Sequence, residues 1–358
     1  MGASDFAAIV VVNRTLKNPD FQSALKRIPA KQFLWIGDEC HHHSSVSFSG
    51  YLPENADYRI GLSATPEHYL DDERNSRLKA YYGDIVFTYT LKQAIDDKVL
   101  TPYNYFPEIV YLTAEEADEF VQLSEQIAKL SIRGGRGAGG SMSPALTALL
   151  MRRARLIASA ENKLPALRRS LAGKAPEAHT LFYCGDGRVD AFDDGNENEP
   201  DDQSTERQIE VVSQELDAAG WRNSRFTSKE SRRERESIMR NFKIGLVDAL
   251  VAIRCLDEGI DVPACKTAYI LASSRDPRQF IQRRGRILRR SPGKTFANIH
   301  DYIVILPADK AEEDSHARKL VRSELMRVAE FSALAINKSM AYEVLRPILI
   351  NYDLEHLL

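Results

Sequence analysis

The chain has 358 residues, of which 43% are hydrophobic and 28% charged, and its formal net charge is −3. These values predict about two domains with ordinary cores. They exclude nucleic-acid binding by bulk charge but allow a local basic groove. No apolar run approaches the ~20 residues of a membrane span, and the apolar N-terminal stretch lacks the basic residues of a signal peptide. Four cysteines without a C-x-x-C pair predict reduced thiols in a cytoplasmic protein.

Short apolar runs alternate with helical patterns along the chain. The runs that predict strands are 7–12, 33–37, 181–184, 247–253, 267–271 and 302–306. Helices are predicted over 114–130, 144–171, 205–219, about 229–242 after a cap at Ser228, and from Asp276-Pro277 onward. After about residue 311 the chain again has a helical pattern. The alternation predicts an α/β fold with a mostly parallel sheet flanked by helices.

Two segments interrupt this pattern. Residues 133–143 (RGGRGAGGSMS) are rich in glycine, and their composition favours a flexible connector over a nucleic-acid-binding RGG segment. Residues 185–202 are acidic and lack the D-x-D-x-D-G order of a calcium loop, so a solvated surface loop is favoured there.

Asp38-Glu39-Cys40-His41 directly follows the apolar run FLWIG. Carboxylates at the carboxyl end of a buried strand lie where open α/β sheets bind ligands. An aspartate there can hold Mg²⁺ through its waters, and an adjacent glutamate can orient or deprotonate a water molecule. A surface turn is the alternative interpretation of these four residues.

Ser63-Ala64-Thr65-Pro66 follows YRIGL, a second predicted strand. Two hydroxyls at a strand end can hydrogen-bond a neighbouring carboxylate or histidine. Taken alone, the same four residues are also typical of a helix cap.

Two further motifs lie in the second half of the chain. In LDEGIDVP, Gly259 allows a close approach of the backbone to a ligand and Asp261 can accept ribose hydroxyls. In QRRGRILR, a helix would place Gln282, Arg286 and Arg289 on one face at i, i+4 and i+7. Two guanidinium groups on one face can grip a phosphoryl group, although a solvated basic helix would give the same pattern.

The order DECH, SAT, DEGIDVP, QRRGRILR resembles motifs II, III, V and VI of the superfamily 2 helicases and translocases. Two weaker elements fit between them: LFYCG resembles motif IV, and Thr227-Ser228 with 232–242 resembles the helix before motif V. The resemblance covers roughly 7–306 and implies RecA-like units with ATP and nucleic acid meeting at their cleft.

Within this superfamily, the motif sequence DEGIDVP and the segment 91–106 resemble those of the group of type III restriction and excision-repair translocases. RNA-remodelling relatives carry a Thr-Asp pair where this chain has Ile253 and Arg254. The resemblance therefore implies duplex DNA as the nucleic acid, with an RNA helicase as the alternative. It also leaves room for further subunits of a restriction or repair system.

The resemblance implies a role for each matching residue. In the first unit, Asp38 would bind Mg²⁺ with ATP, Glu39 would be the general base, and His41, Ser63 and Thr65 would couple nucleotide state to contacts between the units. In the second unit, the residues that would touch ATP are Gly259, Asp261, Gln282, Arg286 and Arg289, the two arginines acting as arginine fingers. The residues that would contact nucleic acid are Thr227, Ser228 and Arg254, although a salt bridge is an equal alternative for Arg254.

The resemblance also predicts the domain organisation. Residues 1–105 would be a partial RecA-like unit with the DECH and SAT motifs. Residues 106–310 would be a complete unit with a helical insertion at about 114–171, and 311–358 a helical extension.

The phosphate loop G-x-x-x-x-G-K-[ST] is absent from the sequence. Its nearest match, Gly293-Lys294-Thr295, has Leu288 where a glycine is needed and follows a helical pattern instead of a strand. Since 37 residues precede Asp38, we expect the chain to be the carboxy-terminal portion of a longer helicase. The alternative is a naturally short, inactive module that binds nucleic acid or protein. Both predict negligible ATP hydrolysis by the chain alone.

Overall fold

The computed structural model describes residues 6–64, 66, 72–132, 143–184, 203–227, 229–253, 265–271, 285–307, 310 and 315–357. The chain forms two compact units, Met1–Thr88 and Tyr89–Leu358. The predicted division at residues 105 and 310 stays a prediction, and the structure places residue 105 within a strand.

The first unit contains a pair of parallel strands, β1 (Leu34–Gly37) and β2 (Tyr58–Gly61), with Leu34 opposite Tyr58. Its helices are α1 (Pro19–Leu25), α2 (Val46–Ser49) and α3 (Asp72–Tyr82). Helix α1 begins at a proline, and the Asn18 side chain accepts hydrogen bonds from the first two free backbone N–H groups of the helix. A small hydrophobic cluster of Leu25, Phe33 and Ala56 forms the core of the first unit.

The predicted strand at 7–12 is wrong. These residues belong to no strand, and Ile9 and Val10 are 75% and 97% exposed. β-Branched residues favour extended backbone, but a strand also needs a hydrogen-bonded neighbour, and no described strand pairs with this segment.

The second unit is built on a parallel sheet with the strand order β3-β8-β7-β4-β6-β5. The strands are β3 (Tyr103–Tyr111), β4 (Thr180–Tyr183), β5 (Asn223–Phe226), β6 (Ala249–Ala252), β7 (Thr267–Ile270) and β8 (Ala297–Ile305). Strands β4, β6 and β7 are buried throughout, as expected for a parallel sheet covered on both faces.

The helices of this unit are α4 (Leu91–Asp96), α5 (Ala114–Ile132), α6 (Pro144–Ala158), α7 (Lys163–Leu171), α8 (Gln203–Ala218), α9 (Arg232–Lys243), α10 (Ser315–Ala333) and α11 (Lys338–Asn351). The predicted apolar faces are confirmed: Ile209, Val212 and Leu216 are buried on α8, and Val321, Leu325 and Val328 on α10. None of the helices within the described ranges is long and apolar enough to cross a membrane.

Two details differ from prediction. The N-cap of α9 is Ser231, which forms a capping box with Glu234, so the helix begins later than a cap at Ser228 implied. Strand β3, which contains Pro107, is not among the predicted strands. A proline is compatible with an edge strand, and β3 lies at the edge of the sheet.

The α/β fold of parallel sheets flanked by helices, expected of RecA-like units, is confirmed. The predicted insertion at 114–171 contains α5, α6 and α7. The glycine-rich segment at 133–142, the acidic segment at 185–202 and the predicted helix start at Asp276-Pro277 lie outside the described residues.

Candidate nucleotide site

The chain segments that leave β1 and β2 stay side by side beyond the ends of the strands. Leu62 N–H donates to the carbonyl of Gly37 (2.8 Å), and Cys40 N–H donates to the carbonyl of Leu62 (2.9 Å). Asp38 and Glu39 are therefore held next to the residues that follow β2. Carboxyl ends of neighbouring parallel strands are where α/β sheets bind ligands.

Three predicted site residues meet at this edge. Nδ1 of His41 lies 3.0 Å from Oγ of Ser63 and 3.4 Å from Oε2 of Glu39. His41 is buried, whereas the side chain of Glu39 is 41% exposed. A buried imidazole thus connects a solvent-accessible carboxylate on one strand end to a hydroxyl on the next. Thr65 lies outside the described residues.

Glu39 has a left-handed backbone conformation, with φ 47° and ψ 48°. This region costs an L-residue roughly 1–2 kcal/mol, and such residues cluster at functional sites. The Glu39 N–H also donates to Oδ1 of Asp38 (3.0 Å). Asp38 is exposed at this turn.

The residues at this turn fit a magnesium–nucleotide complex. No group of three or more His, Cys, Asp or Glu within the described ranges could hold a metal ion. Mg²⁺ does not need such a cage, since it is usually bound by one or two carboxylates together with waters and substrate phosphates. The exposed Asp38 carboxylate offers the hard oxygen donor that this binding mode uses.

Cys40, within the DECH motif, is not a nucleophile at neutral pH. Burial, together with the charges of Glu39 and Asp38, raises the pKa of its thiol to about 11. The thiol therefore stays protonated and packs as a small apolar group.

In the second unit, residues 285–287 are helical and the helix ends there. Arg286 lies in this turn, whereas Arg289 lies beyond it and forms an antiparallel bridge with Leu100. The predicted common helical face for Gln282, Arg286 and Arg289 is therefore wrong for Arg289, because the helix ends before it. The roles of the two arginines stay predictions.

The segment around Arg289 is held by main-chain and side-chain hydrogen bonds. The N–H of Thr101 donates to the carbonyl of Leu288 (2.7 Å). The buried ammonium group of Lys294 donates to the carbonyls of Ile287 and Arg289. The carbonyls of 287–289 are thus all hydrogen-bonded, as the end of a buried helix requires.

Thr227 is already engaged within its own turn. Its N–H and its hydroxyl both donate to Oε2 of Glu230, at 2.6 and 2.9 Å. A contact of Thr227 with nucleic acid, which stays a prediction, would have to compete with this carboxylate.

Several predicted site residues lie outside the described residues: Ser228, Arg254, Gly259, Asp261 and Gln282.

Two residues that hold segments carrying predicted site residues, one in each unit, were missed by sequence reasoning. Lys294, set aside as part of a failed phosphate loop, is a buried anchor of the segment that carries Arg289. Tyr82 at the end of α3 contacts the turn after β1. Neither has a local signal, because only the fold brings them to the motifs.

Comparison with known proteins gives one domain match and several relatives. Residues 202–291 match the helicase conserved C-terminal domain. The chain is 28% identical over 264 residues to the DNA 3′-5′ translocase XPB2 of Sulfurisphaera tokodaii, covering 72% of this chain and 56% of the relative. It is 27% identical over 147 residues to UvrABC system protein B of Cytophaga hutchinsonii, covering 38% of this chain and 20% of the relative.

Among solved structures, a fragment of a putative HsdR subunit of a type I restriction enzyme from Vibrio vulnificus YJ016 matches with a TM-score of 0.45 and 21% identity. The match covers 78% of this chain and 45% of that one. The chain spans about half, or less, of the length of the relatives it matches.

Proposed function

Because residues 202–291 of this chain match the helicase conserved C-terminal domain, we propose that the chain is part of an ATP-dependent DNA helicase or translocase of superfamily 2. The observation that carries the proposal is the meeting of Glu39, His41 and Ser63 at the ends of β1 and β2, beside the exposed Asp38. Duplex DNA is the nucleic acid along which we propose that the protein moves, because the chain is similar over 72% of its length to a protein named as a DNA translocase.

The first unit contributes an acid–base and metal-binding edge to this reaction. Bound Mg²⁺-ATP supplies the γ-phosphoryl group and neutralises charge on it. Asp38 would hold the ion through its carboxylate, and Glu39 would accept the proton of the attacking water. His41 contacts Glu39, and Ser63 contacts His41. Through these two contacts, the position of the Glu39 side chain can depend on the segment that follows β2.

The second unit contributes positive charge. Arg286 and Arg289 would stabilise the charge that develops on the transferred phosphoryl group, as arginine fingers do. The hydrogen bonds from Lys294 and Thr101 fix the main chain that carries Arg289, and a fixed main chain is what preorganised charge stabilisation needs.

This chain by itself is proposed to hydrolyse ATP negligibly, since it contains no phosphate loop to cradle the β- and γ-phosphates. The activity belongs to the whole protein of which the chain would form a part. The same absence would also occur in a helicase-like module that binds DNA without chemistry.

The test is the ATPase rate of the whole protein without nucleic acid, with duplex DNA and with duplex RNA. We expect stimulation by DNA and loss of turnover in Glu39→Gln with ATP binding retained. Stimulation by RNA alone would replace the DNA assignment with an RNA helicase. No turnover under any condition, with DNA binding intact, would leave the binding module as the function.

A further inference from the structure

The last residue of β1 leaves no room for a side chain. A Cβ on Gly37 would meet the hydroxyl of Tyr82 and would lie 2.8 Å from Cε1 of His43. A Cβ on Gly61, the last residue of β2, would lie 3.0 Å from Cγ of Tyr82. The ring of Tyr82 thus packs directly against both strand ends that carry the candidate site.

A chain of hydrogen bonds runs through this tyrosine. Nε1–H of Trp35 donates to the Tyr82 hydroxyl (3.1 Å), which is 2.7 Å from Nδ1 of His43, and Nε2 of His43 is 3.0 Å from Oδ1 of Asn13. The tyrosine oxygen accepts from tryptophan, so its proton is available to Nδ1, and Nε2–H then donates to Asn13. A neutral His43 with its proton on Nε2 satisfies all of these contacts.

The burial of His43 agrees with this assignment. The residue is 2% exposed, and burial, with a smaller effect of His42, lowers the pKa of its imidazole to about 4. The ring is therefore neutral at physiological pH, and it can keep accepting from Tyr82 while donating to Asn13.

Helix α3 also holds the turn at a second point. His43 lies within the 3-10 turn Cys40–Ser44 that follows Glu39. Nε of Arg77, five residues before Tyr82 on the same helix, donates to the carbonyl of Ser44 (2.8 Å). Two side chains of the same helix therefore anchor the segment on which Glu39 depends.

We propose that Tyr82 and His43 are positioning residues that hold the Asp38–Glu39 turn in its left-handed conformation. They would act through Gly37 and the 3-10 turn. A left-handed glutamate persists only where its surroundings impose that conformation, and the packing of Tyr82 and His43 against Gly37 is such a constraint. The expected effect on ATP turnover rests on the proposed function. The expected effect on the conformation of the turn does not, and it can be measured on this chain.

The chain offers a matched pair of variants. Tyr81 and Tyr82 are neighbours on α3, and both hydroxyls are hydrogen-bonded, but that of Tyr81 donates to the carbonyl of Pro53 (2.9 Å), away from the turn. Tyr82→Phe and Tyr81→Phe each remove one hydroxyl. Only Tyr82→Phe removes a contact with the site.

The structural part is measured on this chain by nuclear magnetic resonance. We expect the Nε2–H tautomer of His43 without protonation down to about pH 5. We also expect hydrogen exchange at the amides of Cys40 and Leu62 to become at least about tenfold faster in Tyr82→Phe and to stay unchanged in Tyr81→Phe. An Nδ1–H tautomer, or the same exchange rates in both variants, would overturn the inference.

The functional part is measured in the whole protein. We expect kcat for ATP to fall about tenfold or more in Tyr82→Phe with KM unchanged, and both constants to be preserved in Tyr81→Phe. Equal kcat values in the two variants would overturn the positioning role. A wild-type protein without turnover would refute the proposed function instead, while the tautomer and exchange measurements would still decide the structural inference.

Discussion

Leu100 and Arg289 pair through their main chains in an antiparallel bridge, although 188 residues separate them in the sequence. The segment that leads from α4 into β3 thereby fixes the position of a predicted arginine finger. Next to this bridge, Lys294 donates to the carbonyls of Ile287 and Arg289 from a buried position.

Replacing Lys294 by methionine should destabilise the second unit. The substitution removes the donor from the buried carbonyl of Ile287 and from the partly buried carbonyl of Arg289, which costs about 1–3 kcal/mol in the free energy of unfolding. Lys319→Met, at an exposed position on α10, is the control and should change stability by less than about 0.5 kcal/mol. Urea denaturation measures the free energy of unfolding of both variants. Equal values for Lys294→Met and Lys319→Met would show that the hydrogen bonds of Lys294 contribute nothing to stability.

Stability should rise with pH because of Lys163. Its Nζ is buried and donates to the carbonyls of Ile157, Ala158 and Leu271, and burial lowers its pKa from 10.5 to about 7. Between these values the unfolded chain binds more protons than the folded one, so the free energy of unfolding increases with pH by up to about 1.4 kcal/mol per unit. Below pH 7 this contribution is constant.

The measurement is urea denaturation at pH 7.0 and pH 9.0, compared between the wild type and Lys163→Met. The wild type should gain roughly 2 kcal/mol over this interval relative to the variant. If the free energy of unfolding changed equally with pH in the wild type and in Lys163→Met, Lys163 would have its ordinary pKa in the folded chain.

Glu39→Gly should separate stability from function. Glycine adopts φ near +47° without the steric cost that glutamate has there, so the variant should be more stable than Glu39→Ala by about 1 kcal/mol. Both variants lack the carboxylate and should lose ATP turnover in the whole protein. A Glu39→Gly variant no more stable than Glu39→Ala would mean that the turn is not left-handed in solution.

Gly37→Ala should be strongly destabilising, because its Cβ would overlap the hydroxyl of Tyr82 and crowd His43. We expect a loss of about 1–3 kcal/mol, as for other overpacked sites. Gly50→Ala is the control, since a Cβ there meets nothing within 4 Å. Thermal denaturation compares the two.

A double variant tests the cause of that loss. Tyr82→Phe removes the overlapping hydroxyl, so Gly37→Ala should cost less in the Tyr82→Phe background than in the wild type. Additive effects of the two substitutions would indicate that the clash is with another group.

Much of the fold was predictable because its signals are local. The apolar faces of α8 and α10 follow from helical spacing, and buried parallel strands appear as short continuous apolar runs. The errors occurred where pairing decides the structure: 7–12 has strand-like residues without a partner, and β3 is a strand despite Pro107.

The sequence by itself determined which chemistry to look for: the order of the DECH, SAT, DEGIDVP and QRRGRILR motifs, the carboxylates after β1 and the hydroxyls after β2. Only the tertiary structure decided how the described motif residues are held. Three contacts depend on the fold: His41 with Ser63, Tyr82 packed against Gly37, and the hydrogen bonds of Lys294 to the segment that carries Arg289. Such contacts depend on strand order and helix docking, and neither leaves a periodic pattern in the sequence.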